Sequence, residues 1–336
     1  MKVEVIEKSK LGRELVFEVD KEKVDSERKK IIGEIQKEAM VTGFRKGKVP
    51  EAIIVTRFAD DIRENLLKRL ISDLYYDAIR EKKINAIVEP SIYDVSLEDA
   101  GLKFKVYTEV KPDVVIRKYK SIPVRKRKPE PVAEKEVDEV LEQWEKRPEF
   151  KSAVIDPQKR KAWKDKIREQ LEGYSRRKAS MEEEEELWEG LLKESEFSVP
   201  EKLVTERAAR YAEEHLGRMD LKEKTDEEKK KMAQEAFDKA KPLAEADIRK
   251  YFLLDKIAEL EKIEAAPEDV DSRIESLGRS VGEPAANLKE KFRKDGRISE
   301  IEDDIRIDKA FAFLKENSQV IEKVILPGEE KRILTK

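Results

Sequence analysis

The chain has 336 residues, 44% of them charged and 38% apolar, with a formal net charge of −3 from 73 basic and 76 acidic side chains. That balance excludes polyelectrolyte behaviour, so attraction to nucleic acid has to be local, and the absence of cysteine excludes disulfides and thiolate metal sites while suiting a reducing compartment. A charged fraction far above the roughly 25% of an average domain suits long solvated helices, and the length allows two or three domains.

The opening MKVEVIEKSK scatters charges where a secretory signal needs an apolar run, and no stretch approaches the ~18 apolar residues of a membrane span. The expected compartment is the cytoplasm, with no membrane partner. KVEVIEK and ELVFEVD read as a hairpin. Residues 21–39 then read as a helix with a sparse stripe of Val24, Ile31, Ile32 and Ile35. Pro50 suits the first position of a short helix through Phe58, because its missing N–H would be unpaired there anyway. From Asp61 to Lys82, Ile62, Leu66, Leu67, Leu70, Ile71, Leu74, Tyr75, Ala78 and Ile79 make a broad apolar helix face. SIYDVSL and LKFKVYTEV follow as strands. Together these predict a small α+β domain over 1–112.

Residues 113–131 read as a basic extended linker: Arg117, Lys118, Lys120, Arg125, Lys126, Arg127 and Lys128 occur with no acid among them, and Pro123, Pro129 and Pro131 discourage regular structure. The rest, 132–336, reads as predominantly helical. Val137, Val140, Leu141 and Trp144 mark one helix, and Pro148 and Pro157 bracket a break. A long charged helix then runs to about Glu194. SVPEKLV opens the next, with Ser198 as a cap and Pro200 in the first turn. Thr225 and Glu228 have capping-box spacing ahead of a helix ending near Ile263. Pro267 and Pro284 start two more, 298–316 forms the last, and VIEKVILP reads as a short strand or an extended clasp.

The stretch VTGFRKGKVP, residues 41–50, carries the most specific chemistry. Gly43 and Gly47 supply the positive φ that a tight exposed tip needs, displaying Phe44, Arg45 and Lys46 together, with Lys48 just beyond and no acid between Glu38 and Glu51. Cations for phosphates beside a ring that can stack or enter an apolar crevice suit an RNA surface. The plain alternative is a solvated loop whose phenylalanine folds back on its own domain.

GFRKGKVP resembles the signature loop of the trigger factor family, bacterial chaperones at the ribosomal exit tunnel. The order of elements over 1–112 resembles that family's ribosome-binding domain. WKDKIREQLEGY, FSVPEKLVTERAARY and IRKYFLLDKIAELEKIEAAPEDVDSRI resemble its arm-bearing substrate domain, in pattern more than in identity. The resemblance therefore covers nearly the whole chain and implies an α+β protein with a mainly helical, elongated second part. It implies an ATP-independent chaperone for nascent or unfolded polypeptides. Gly43, Phe44, Arg45, Lys46, Gly47, Lys48 and Pro50 would then form the ribosome contact, to an exit-tunnel protein and ribosomal RNA, and a homodimer off the ribosome is left open.

The chain departs from the family's usual layout between these parts, where an FKBP-like prolyl isomerase, a glycine-rich β structure around an aromatic proline pocket, is expected. From Pro112 to Ser198 only Gly173 and Gly190 occur, and much of the interval is charged helix. The reading is that the isomerase is absent, with a short bridge around Arg147 to Lys161, and that the protein is not an enzyme. Trp144, Phe150, Trp163 and Trp188 have the helical spacing of packing residues.

Nothing else in the sequence forms a catalytic set. His215 has no second histidine or cysteine to share a metal. The five acids Glu182 to Glu186 read as a solvated helix face, and no phosphate-cradling loop implies a nucleotide or other cofactor. The basic linker could add ribosomal affinity or serve as a soluble spacer. A client cradle needs apolar side chains broken up by charge, for which Phe197, Leu203, Tyr211, Met219, Phe252, Phe292, Phe311 and Phe313 are candidates, although most must be core.

Overall fold

The structure is a computed structural model that describes residues 2–146, 157–219 and 224–325. In chain order its elements are β1 (Lys2–Glu7), β2 (Gly12–Asp20), α1 (Lys21–Glu38), α2 (Glu51–Arg57), α3 (Ala59–Glu81), β3 (Ser91–Glu98), β4 (Gly101–Glu109), β5 (Val115–Ile116) and β6 (Pro123–Arg127). There follow α4 (Glu134–Glu145), α5 (Pro157–Lys193), β7 (Ser195–Glu196), α6 (Glu201–Gly217), α7 (Asp226–Glu261), α8 (Pro267–Val281), α9 (Ala285–Lys294), α10 (Ile298–Glu316) and β8 (Gln319–Ile325). The chain divides into two compact units, one of residues 1–113 with 197–249 and one of 114–196 with 250–336.

In the first unit, β1 to β4 form an antiparallel sheet in the order β1-β2-β4-β3. Strand β2 turns Leu15, Phe17 and Val19 to one face, as the two-residue period of a strand requires, and all three are buried. Phe17 lies opposite Phe104 of β4, the rings stacked with centroids 4.4 Å apart. Helices α1 and α3 lay their apolar stripes, Val24, Ile31 and Ile32 with Ile62, Leu66, Leu70 and Leu74, into the same core. Each such side chain, fully buried, contributes about 1.5–3 kcal/mol. Arg69 of α3 ties the two helices at the surface by reaching Glu34 at 2.8 Å and Glu27 at 3.3 Å on α1.

In the second unit, α4 packs on α5 through Val137, Leu141 and Ile167, with Trp144 and Trp163 against that cluster. Helices α8, α9 and α10 share a second core of Val270, Ile274, Leu288, Phe292 and Ile305. Asp269 closes the start of α8 by accepting the Ala266 N–H at 2.8 Å, and Gly282 ends that helix at φ 72°. The buried Asp255 of α7 pairs with Arg306 of α10.

The linker reading needs correction. Residues 113–131 are not simply extended: β5 pairs antiparallel with β7, and β6 runs parallel to β8 with Val124 opposite Val320. Proline is compatible with β6 because it stands at the strand's first residue, where no ladder N–H is missed. The tail is therefore a strand over Gln319–Ile325. The Ser198 cap is also replaced, since Pro200 takes the N-cap position of α6, and Pro50 likewise caps α2 rather than opening it. Residues 147–156 of the expected bridge, with Phe150, lie outside the described residues. Among the described residues no helix is long and apolar enough to cross a membrane, and no cluster of three metal-ligating side chains occurs.

Candidate functional site

The tip between α1 and α2 is built from two successive turns. Helix α1 stops at Glu38 because Ala39 turns to extended backbone, and Val41, 6% exposed, anchors the chain in the core. The Phe44 N–H donates to the Val41 carbonyl at 3.0 Å, closing one turn with Gly43 at φ 91° in its third place. The Lys48 N–H donates to the Arg45 carbonyl at 2.9 Å, closing a second with Gly47 at φ 76°. Thr42 and Lys46 keep negative φ, so both turns follow the type II pattern, in which glycine is the residue free of a Cβ clash. Val49, fully buried, anchors the exit, and its carbonyl accepts from the Gln36 amide of α1 at 2.6 Å.

Everything between the two valines faces outward. Phe44 is 42% exposed, and no atom lies within 4 Å of where a Cβ would sit on either glycine. Arg45, Lys46 and Lys48 are exposed, and among the described residues none of the three forms an ion pair. The phenylalanine therefore does not fold back on its own domain. The tip combines a presented ring with three unneutralised cations on a base held at both ends.

The other basic stretch is neutralised in part within the chain, with Lys118, Lys126 and Lys128 exposed and outside the ion pairs among the described residues. Arg125 of β6 meets Glu186 of α5 at 3.0 Å, Arg127 meets Glu182 at 3.3 Å, and Lys120 meets Glu261 at 2.7 Å. Glu183 accepts the Arg127 backbone N–H at 2.6 Å and Glu186 that of Arg125 at 3.1 Å. Glu184 pairs with Lys315 at 2.8 Å. The five-acid run is thus the counter-surface of β6 and α10, not merely a solvated face. Only the residues' distance in sequence hid this. His215 is exposed on α6, where no metal site is formed among the described residues.

The client candidates separate by burial. Phe252 is 3% exposed and Phe292 8%, so both are core and are withdrawn as client contacts. Phe311 is half-buried and stacks on Trp188 at 5.2 Å, and Phe313 lies beneath the Lys120 ammonium at 5.2 Å. Phe197, Leu203 and Tyr211 are half-buried, with Arg249 over the Phe197 ring and the Tyr211 hydroxyl donating to Asp247. Met219 is exposed at 41%. Several apolar side chains open to solvent on the helices were not anticipated, among them Tyr174 and Met181, seven residues apart on α5, Leu243 on α7, and Leu277 and Val281, four apart on α8. Their spacing was visible, but nothing in it told an exposed stripe from a packed one.

Comparison with known proteins agrees with this architecture. The family model described as bacterial trigger factor protein matches residues 1–144, and that described as its C-terminus matches 161–316. A trigger factor of Geotalea uraniireducens is 36% identical over 129 residues, covering 38% of this chain and 30% of that protein. One of Bdellovibrio bacteriovorus is 34% identical over 143 residues, covering 42% and 32%, so these matches span about a third of the relatives' length. A trigger factor of Koribacter versatilis aligns at 23% identity over 418 residues, covering 92% of this chain and 95% of the relative. An alignment longer than the 336-residue chain means that the relative carries segments with no counterpart here. A solved structure, from work on promiscuous substrate recognition in the folding and assembly activities of the trigger factor chaperone, shares the fold. It has a TM-score of 0.56 at 17% identity and covers 94% of this chain and 99% of its own. With residues 1–144 and 161–316 matched by the two models of one family, the chain belongs to the bacterial trigger factor family.

Proposed function

We propose that this protein is an ATP-independent chaperone that docks at the ribosomal tunnel exit through Gly43, Phe44, Arg45, Lys46, Gly47, Lys48 and Pro50, and shelters emerging polypeptides on its helices. The observation that carries the reading is the tip itself. Seven consecutive exposed residues stand between two buried valines, and their three cations have no acid to meet among the described residues. Guanidinium and ammonium groups fit ribosomal RNA phosphates, and the ring fits an apolar crevice on a neighbouring exit-tunnel protein. The compartment is the cytoplasm, where ribosomes are.

Client contact falls to exposed apolar side chains set among charges, with Met219, Tyr174, Met181, Leu277 and Val281 the leading ones. Each buries little area, so each contact is weak and release needs no nucleotide. The chain acts by binding alone. In support, the two family matches leave only residues 145–160 between them, too short a stretch for an isomerase domain.

The test is cosedimentation with ribosomes, the wild type beside F44A/R45A/K46A. The wild type is expected in the pellet and the variant in the supernatant with an unchanged circular dichroism spectrum; a variant that still pellets overturns the docking assignment. A proline isomerase assay is expected to read background, and activity above it would refute the non-enzymatic reading.

A further inference from the structure

Helix α6 begins without a cap of its own. Pro200 occupies the N-cap position and no side chain there accepts from the first turn, although the first amides of any helix need acceptors from outside it. One acceptor comes from the docking sheet. Glu109, at the end of β4 and 4% exposed, accepts the Lys202 backbone N–H at 3.0 Å, at the second residue of α6. Its other carboxylate oxygen accepts the Tyr107 hydroxyl at 3.1 Å, and burial, followed by the charge of Glu109, raises the pKa of that hydroxyl so that it stays a donor. The Lys202 side chain reaches the other way, its ammonium donating to the Glu89 carbonyl and to Ser91 Oγ at 3.0 Å, where β3 begins.

A buried carboxylate at the positive end of a helix is a strong, directional contact. It joins groups 93 residues apart, and both belong to the first unit, which holds 1–113 together with 197–249. We propose that Glu109 is a coupling residue that fixes α6 to the sheet of its own unit, so that engagement of the tip sets the direction in which α6, with Met219 just past its end, projects. The proposal rests on the docking function above and adds to it a residue that contacts neither ribosome nor client.

Amide hydrogen exchange and ribosome assays on the full chain test it. In E109A the Lys202 amide of α6 loses its charged acceptor and is expected to exchange about ten- to a hundredfold faster. E109Q, which keeps an acceptor oxygen at the same reach, is expected to restore most of the protection. In both variants cosedimentation stays at the wild-type level, while crosslinking of a ribosome-held nascent chain to a photoreactive group at position 219 falls several-fold in E109A and recovers in E109Q. Unchanged α6 exchange in E109A, or undiminished crosslinking, overturns the coupling. Should E109A also loosen β4, E109Q carries the test, because it keeps the side chain's size and one acceptor oxygen: protection of α6 regained beside a protected β4 supports the proposal, and α6 exchange as fast as in E109A overturns it. A wild type that never pellets would fail the docking function, a result separate from the exchange readout.

Discussion

Residues 43–48 hold three cations and no acid, and residues 117–128 hold seven cations and no acid. In the first stretch two type II turns present the cations outward, and none of the three meets an acid among the described residues. In the second, a strand lies along a helix whose glutamates recur at nearly every position, and Arg125 and Arg127 take carboxylates from Glu186 and Glu182. Backbone geometry therefore decides which cations of a positive run meet the chain's own acids: all three of the tip stay clear of them, whereas in the second stretch Arg125 and Arg127 are paired and Lys118, Lys126 and Lys128 are not. Charge counted along the sequence does not distinguish the two, because the neutralising partners lie more than fifty residues downstream.

The largest expected effect would break the comparison if it failed. With three phosphates neutralised at the tip, ribosome affinity should fall roughly 40-fold between 50 and 200 mM salt, and the R45A/K46A variant should lose about two-thirds of that logarithmic slope. Losing the Phe44 ring should cost a further 1–3 kcal/mol or so of binding free energy, measured by titration at fixed salt. The converse experiment frees the second stretch: E182Q/E183Q/E186Q should weaken the β6 contact by about 1–2 kcal/mol, seen as a lower thermal midpoint. The same variant should bind ribosomal RNA with a salt slope steeper by about two charges.

Smaller effects sharpen the contrast. Gly43→Ala puts a Cβ on a residue at φ 91°, at a cost of about 1 kcal/mol, and should weaken ribosome binding several-fold without altering the helix content. R125Q/R127Q, by contrast, should leave ribosome affinity within about twofold of the wild type, since those charges are already paired. The smallest effect is on pH. The Tyr93 hydroxyl, and then Lys8, hold the Glu14 carboxyl below its usual 4.5. A depressed carboxylate contributes stability that is complete above the usual value and lost as pH falls through the folded one. The first unit's thermal midpoint should therefore decline below about pH 4.5, and E14Q should flatten that decline.

Where local rules suffice, the sequence was legible. Thr225 and Glu228 do cap one another, the Thr225 N–H donating to Glu228 at 2.8 Å and the Glu228 N–H to the threonine hydroxyl at 3.2 Å. Pro267 does open a helix, and the stripe from Ile62 to Ala78 is buried as its period required. What escaped notice joins distant parts of the chain: the parallel pairing of β6 with β8, the acid run against the basic strand, and Glu109 at the head of α6. Two of the eight client candidates proved to be core for a related reason. Phe252 and Phe292 have the periodicity of any amphipathic helix, and a helix's sequence does not say whether another helix covers that face.

By itself the sequence determined where most helices lie, the strands of the first unit and the glycine-framed tip, because caps, turns and apolar periods depend on residues within a few positions of one another. Only the tertiary structure decided which cations stay free, which aromatics reach solvent, and which carboxylate completes α6. Each of those outcomes turns on groups brought together from across the chain, and it is their removal from water, not their order, that sets the energy of the contact.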